Sequence, residues 1–159
     1  MDTIYCFDSS ALIDSWRRYY PIRLFPTLWE KVLCTIIDSK RIFLPIEAQK
    51  EILNGKDELV DWVKVNCPNI VDISVPQLNT VQEILSKYPK ASDYKKLKPN
   101  HADPFVVAVA KIEGYTVVTF ESKGGNADDP KIPFLCKMFG VECISMLDFF
   151  ERENIKFLN

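Results

Sequence analysis

The strongest constraint on this chain is a recurring pattern: a short apolar run stops at an acidic residue or a proline and hands over to helical spacing. Ile4-Tyr5-Cys6-Phe7 stops at Asp8 and is followed by Ser9-Ser10 and a helix-like stretch. Arg41-Ile42-Phe43-Leu44 stops at Pro45 and leads into a helix carrying Glu47 and Glu51. His101-Ala102-Asp103-Pro104 opens an apolar helix, and Thr116-Val117-Val118-Thr119-Phe120 ends at Glu121. In a parallel α/β sheet such positions converge on one rim, the usual place for a ligand.

Further runs fill in the alternation. Strands are expected over residues 3–8, 41–44, 70–73, 115–120 and 141–144. Helices are expected over Ser9–Tyr19, Pro26–Ser39, Ile46–Leu53, Asp57–Val65, Val75–Tyr88, Asp103–Glu113 and Lys131–Phe139, with Gly114 and Gly140 as stops. Residues 122–130 read as a loop, and 89–100 as a polar, lysine-rich loop or short helix. Ser145 with Asp148 resembles a capping box for a closing helix. Short links between strands and helices predict an α/β fold in three α/β/α layers, with a central parallel sheet of about five strands. The order does not break into halves, so residues 1–159 read as one domain.

Composition narrows the function classes. A formal charge of −2 shows no global basic field for nucleic acid. An acidic centre that binds divalent cations is nevertheless compatible with a near-neutral chain, because the cations supply positive charge locally. The five cysteines include no C-x-x-C pair, which argues against zinc. Cys6, Cys34 and Cys143 lie in apolar runs and read as buried thiols, a usage that suits a reducing, cytoplasmic setting. The opening reads as a strand rather than a signal peptide. No apolar run approaches the ~20 residues that span a bilayer, so no membrane association is expected.

Each acid has a bland reading. Asp8 is placed to cap the following helix, and Asp103 before Pro104 looks like an N-cap with proline at the first helical position. Glu47 and Glu51 suit a solvated helix face, and Glu121, Asp128 and Asp129 suit loops. The functional reading rests on several acids falling at strand ends together. Crowded carboxylates repel one another and call for a hard cation, Mg²⁺ or Mn²⁺. His101 is the sole histidine, which argues against two-histidine ribonuclease chemistry.

Four segments resemble the PIN-domain family of VapC-type ribonucleases, and in particular an uncharacterised PIN-like prokaryotic subfamily. They are Tyr5-Cys6-Phe7-Asp8-Ser9-Ser10, Glu51-Ile52-Leu53-Asn54-Gly55, Ala102-Asp103-Pro104-Phe105 and Val117-Val118-Thr119-Phe120-Glu121. The resemblance implies that Asp8, Glu51, Asp103 and Glu121 are catalytic, metal-binding acids, with Ser9 or Ser10 orienting ligand or water. Glu47 competes with Glu51, one turn away on the same helix face. Asp128 and Asp129 compete with Glu121, where the family more often has aspartate. The resemblance further implies a Mg²⁺- or Mn²⁺-dependent endoribonuclease in which an activated water attacks phosphorus and leaves a 5′-phosphate. It implies an antitoxin partner and dimerisation.

Candidate RNA contacts are Ser9, Ser10, Arg17, Arg18, Lys95, Lys96, Lys98 and His101. The segment Trp16 to Arg23 mixes cations and aromatics able to grip phosphate and stack bases, although Trp16 reads as core and Tyr19 and Tyr20 are candidates to join it. His101 also suits a supporting structural role. The competing reading is a non-catalytic PIN-like module that binds RNA or protein. A phosphatase with an aspartate nucleophile is disfavoured, because Ser10 stands where such enzymes need a second aspartate.

Overall fold

The structure, a computed structural model, describes residues 2–66, 69–91, 102–121 and 124–157. Strands β1 (Tyr5–Phe7), β2 (Ile42–Pro45), β3 (Asn69–Val71), β4 (Thr116–Thr119) and β7 (Cys143–Ser145) form a wholly parallel sheet in the order β3-β2-β1-β4-β7. The helices are α1 (Ser9–Asp14), α2 (Leu33–Asp38), α3 (Ile46–Leu53), α4 (Glu58–Asn66), α5 (Val75–Lys87), α6 (Ala102–Glu113), α7 (Ile132–Phe139) and α8 (Met146–Arg152). This is the three-layer α/β/α arrangement predicted from the alternation.

The sheet alternation assigns the layers. Successive strand side chains point to opposite faces. Tyr5 and Phe7 pack edge-on against Phe149 of α8, with ring centroids 4.8 and 5.2 Å apart. Cys6 points the other way, its thiol donating to the Val106 carbonyl of α6 at 3.8 Å. Helix α6 lies against β1, β2 and β4 and is apolar nearly all round because α5 and α7 flank it. Its residues Val106, Val107, Ala108, Val109 and Ala110 are all buried.

Strand order has one consequence for function. From β1 the chain steps to β2 and β3 on one side, then returns to β4 and β7 on the other. The gap between the C-terminal ends of β1 and β4 is therefore the topological switch point, where open α/β sheets hold ligands. Asp8 follows β1, and its N–H donates to Val118 of β4 at 3.0 Å, so the two strand ends are tied together.

Several elements differ from the sequence expectation. The helix expected over Ser9–Tyr19 is α1 followed by a π-helical turn, Ser15–Tyr19, and Leu28–Val32 forms a second such turn ahead of α2. The loop at 122–130 contains a two-stranded antiparallel ribbon, β5 (Gly125–Asn126) with β6 (Asp129–Pro130). Gly125 is required there: it sits at φ 74°, and a Cβ would fall 2.0 Å from the Asp129 carbonyl. Gly140 ends α7 in the left-handed conformation at φ 71°, as expected. The Ser145–Asp148 capping box is present, and Ser74 with Gln77 forms another at the start of α5. Cys6 is buried, whereas Cys34 and Cys143 are only partly buried, packed against the margin of the core. Tyr19 is 56% exposed and so is not core. Trp16 is half-buried against Trp29. Among the described residues no helix is long and apolar enough to cross a membrane.

Candidate active site

Four acids far apart in sequence meet at the switch point. Asp8 comes from the end of β1, Glu51 from the last turn of α3, Asp103 from the first turn of α6, and Glu121 from just beyond β4. Asp8 and Asp103 are only 3% and 4% exposed. Among the described residues, each carboxylate except Asp103 is held by hydrogen bonds. Asp8 Oδ2 accepts from the Ser10 hydroxyl at 2.7 Å and the Thr119 hydroxyl at 3.1 Å. Ser10 Oγ in turn accepts from Phe120 N–H, and Thr119 Oγ1 from Glu121 N–H, both at 3.1 Å. These bonds lock the end of β4 onto Asp8.

Glu51 bridges two elements. Its Oε2 accepts from Ser9 Oγ at 2.5 Å, and its Oε1 accepts from Ala102 N–H at 3.1 Å. The second bond satisfies one of the free N–H groups that every helix leaves at its start, and the carboxylate also complements the positive end of α6. Helix α6 begins at Ala102, so Asp103 sits inside the first turn and not at the cap predicted from Asp103-Pro104. Glu121 Oε2 accepts from Ile132 N–H at 2.8 Å, the first residue of α7.

Asp103 is the exception. Its Oδ2 is buried and has no hydrogen-bond partner among the described residues. A buried carboxylate oxygen left in this state is costly. Burial pushes the Asp103 carboxyl well above the ordinary range, and the charges of Asp8, Glu121 and Glu51 push it further, against a smaller pull from Lys131. Burial likewise raises Glu121, with Asp8 adding to the rise and Ile132 N–H and Lys131 opposing it. It raises Glu51 against the Ser9 hydroxyl. Asp8 is raised by burial too, while the hydroxyls of Ser10 and Thr119 pull it down. The charge of Asp8 thus acts on Glu51, Asp103 and Glu121, and Asp103 feels all three other acids, in surroundings that burial has desolvated.

The donor set fits a hard divalent cation: every donor is oxygen, and one buried oxygen lacks a partner. Among the described residues no three His, Cys, Asp or Glu side chains stand close enough to ligate one ion directly. Mg²⁺ commonly takes only one or two carboxylates and keeps several waters, so Asp8 and Asp103, with Glu51 and Glu121 around them, are the residues able to hold it.

The remaining predicted residues divide between the acid cluster and its surroundings. Glu47 lies one turn before Glu51 and pairs with Lys50 at 3.1 Å. Asp128 and Asp129 are exposed on the β5–β6 ribbon, their N–H groups donating to Asn126 Oδ1 at 2.8 and 3.0 Å. Ser9 is buried with its hydroxyl engaged by Glu51, and Ser10 with Asp8, so both hydroxyls serve the acids. Arg17 is tied to Asp57 at 2.7 Å, and Arg18 is exposed. Lys95, Lys96, Lys98 and His101 lie outside the described residues. Sequence reasoning missed two contributors as site residues. Thr119 was signalled by its place in the strand-end motif. Lys131, whose charge reaches both Asp103 and Glu121, had no local signal.

Comparison with solved structures shows the same architecture. VapBC2 from Rickettsia felis, solved bound to a DNA fragment from its promoter, is similar at a TM-score of 0.53 and 12% identity, over 90% of this chain and 98% of that one. PAE2754 from Pyrobaculum aerophilum is similar at a TM-score of 0.53 and 13% identity, over 97% of each chain. At such identities the likeness is one of fold, and the fold is PIN-like, as the sequence motifs implied. No curated protein matches the chain. A family model described as Domain of unknown function (DUF4411) matches residues 5–157, and the chain belongs to that family.

Proposed function

We propose that this PIN-like domain is a Mg²⁺- or Mn²⁺-dependent endoribonuclease, acting as the toxin of a toxin–antitoxin pair in the cytoplasm. The observation that carries the proposal is the unpartnered oxygen of Asp103, buried among three other carboxylates whose charges all act on it. Asp57 Oδ1 is also buried without a partner, but its carboxylate is paired with Arg17, whereas among the described residues the charges acting on Asp103 are those of other acids and, more weakly, of Lys131. A bound divalent cation would neutralise the cluster and supply Lewis-acid polarisation of a phosphoryl oxygen.

The chain's own residues divide the remaining work. Ser10 and Thr119 fix the Asp8 carboxylate and keep it more acidic than burial alone would allow. Ser9 and the start of α6 fix Glu51, and Ile132 N–H fixes Glu121. Glu51 and Glu121 have raised pKa values, and a carboxylate of that kind accepts a proton from water more readily than a surface one. Lys131 offsets part of the negative charge on the approach to Asp103. The antitoxin, in this reading, is a protein that fills the acidic recess, and dimerisation would follow the resemblance.

The test is cleavage of single-stranded RNA in Mg²⁺, in Mn²⁺ and in EDTA by the wild type and by Asp8→Asn and Asp103→Asn. Cleavage should require the divalent ion and fall to background in both variants, with circular dichroism unchanged. Full activity in either variant removes the catalytic assignment. Inactivity of the wild type in both ions leaves the non-catalytic binding module in its place.

A further inference from the structure

We infer that the open face of Tyr19, backed by Phe120, is a stacking subsite for one base of single-stranded RNA beside the acid cluster. The inference rests on the ribonuclease reading and adds the residue that would seat the substrate.

Tyr19 and Phe120 lie nearly parallel, with ring centroids 4.8 Å apart and 9° between their planes. Tyr19 is nevertheless 56% exposed, so one ring face covers Phe120 and the other meets solvent. The other rings around the pair are tilted or edge-on: Tyr20 meets Tyr19 at 48°, Phe120 at 38° and Phe25 at 88°. A parallel pair with an open outer face is the geometry that a third ring extends, and every base offers a π-face to it.

One feature ties the pair to the site through the backbone, and a second sets which tyrosine faces outward. Phe120 lies between Thr119 and Glu121, and its N–H donates to Ser10 Oγ, which itself holds Asp8. The platform is thus bolted to the hydrogen bonds that orient the first acid. Tyr19 ends the π-helical turn Ser15–Tyr19, in which Tyr20 N–H reaches back five residues to the Ser15 carbonyl at 2.7 Å. Such widened turns are rare and recur at functional sites. Here the turn sends Tyr20 inward against Phe150 and leaves Tyr19 outside.

The experiment measures binding and cleavage of a fluorescein-labelled, mixed-sequence single-stranded RNA in Mn²⁺. Binding is read by anisotropy in an Asp103→Asn background, and cleavage in the native background. Tyr19→Ala should weaken binding roughly ten- to a hundredfold and raise KM more than it lowers kcat, while Tyr19→Phe and Tyr19→Trp stay near wild type. Replacing each base in turn by an abasic ribose should reveal one position that matters to the wild type and not to Tyr19→Ala. A merely structural tyrosine would not produce that position-specific loss of coupling. If the wild type cleaves RNA and Tyr19→Ala binds it equally well, the subsite is overturned and the ribonuclease reading stands. Should the wild type fail to cleave while Tyr19→Ala still weakens binding with the abasic signature, the subsite stands and the nuclease reading falls. Absence of RNA binding by the wild type overturns both.

Discussion

Replacing Asp103 by asparagine should stabilise the protein in the absence of divalent cations. Asparagine keeps the shape and removes the charge. Folded Asp103 binds its proton more tightly than the unfolded chain does, because burial and three neighbouring carboxylates oppose ionisation. The native state therefore carries more protons, and the contribution to stability falls as pH rises from the unfolded value, about 3.9, through the folded one. The penalty grows as pH rises above the unfolded value, and near pH 4 it has mostly gone. A buried acceptor left without a donor costs on the order of 1–3 kcal/mol, and more when it is charged. A gain on the order of 1–2 kcal/mol is expected at neutral pH, or roughly 3–6 °C in melting temperature for a domain of this size. Calorimetry in EDTA at neutral pH and near pH 4 would read it. The wild type should also gain melting temperature on adding Mn²⁺, since a ligand that binds only the folded state stabilises it, and the variant should lose most of that gain. The reasoning fails if the variant is no more stable than the wild type in EDTA at neutral pH, or if its advantage is equally large near pH 4.

Thr119→Val removes a hydroxyl that pulls Asp8 down, so Asp8 should rise further and the acid limb of the cleavage pH profile should move to higher pH; an unmoved limb would separate Thr119 from Asp8. Ser9→Ala takes away the donor to Glu51 and should cost on the order of 1 kcal/mol at neutral pH, less at acid pH where Glu51 is protonated, as thermal melts at the two pH values would show.

The sequence exposed the layers and the acids but not the way they are joined. The strand positions were legible because parallel strands buried on both faces read as continuous apolar runs, as Val117-Val118 does. The β5–β6 ribbon was not, since two-residue exposed strands such as Gly125–Asn126 carry no periodicity. The π-helical turn at Ser15–Tyr19 was hidden because one inserted residue barely alters helical spacing, yet it decides which tyrosine faces outward. Asp8, Glu51, Asp103 and Glu121 were found as a set through short motifs. Their partners were not all visible. The bond from Ala102 N–H to Glu51 spans two elements, and the pull of Lys131 on Asp103 arises only after β5 and β6 fold the chain back.

The two rims of the same sheet hold their acids in different ways. At the rim where the strands begin, acids are matched with arginines. Glu153 receives both terminal nitrogens of Arg41 at 2.7 Å and the Tyr5 hydroxyl at 2.5 Å. Glu142 is held by Arg152 and by the Thr116 hydroxyl, which bring its carboxyl down to about 2. At the rim where the strands end, four carboxylates are raised, and among the described residues the cation that offsets Asp103 and Glu121 is the partly exposed Lys131. One sequence thus supplies arginine partners where acids close the fold, and supplies hydroxyls and backbone N–H groups where acids meet at the switch point. Hydroxyls and N–H groups orient a carboxylate without cancelling its charge. A rim built that way leaves like charges crowded together and favours protonation, and under the proposed reading a divalent cation would take the place of those protons.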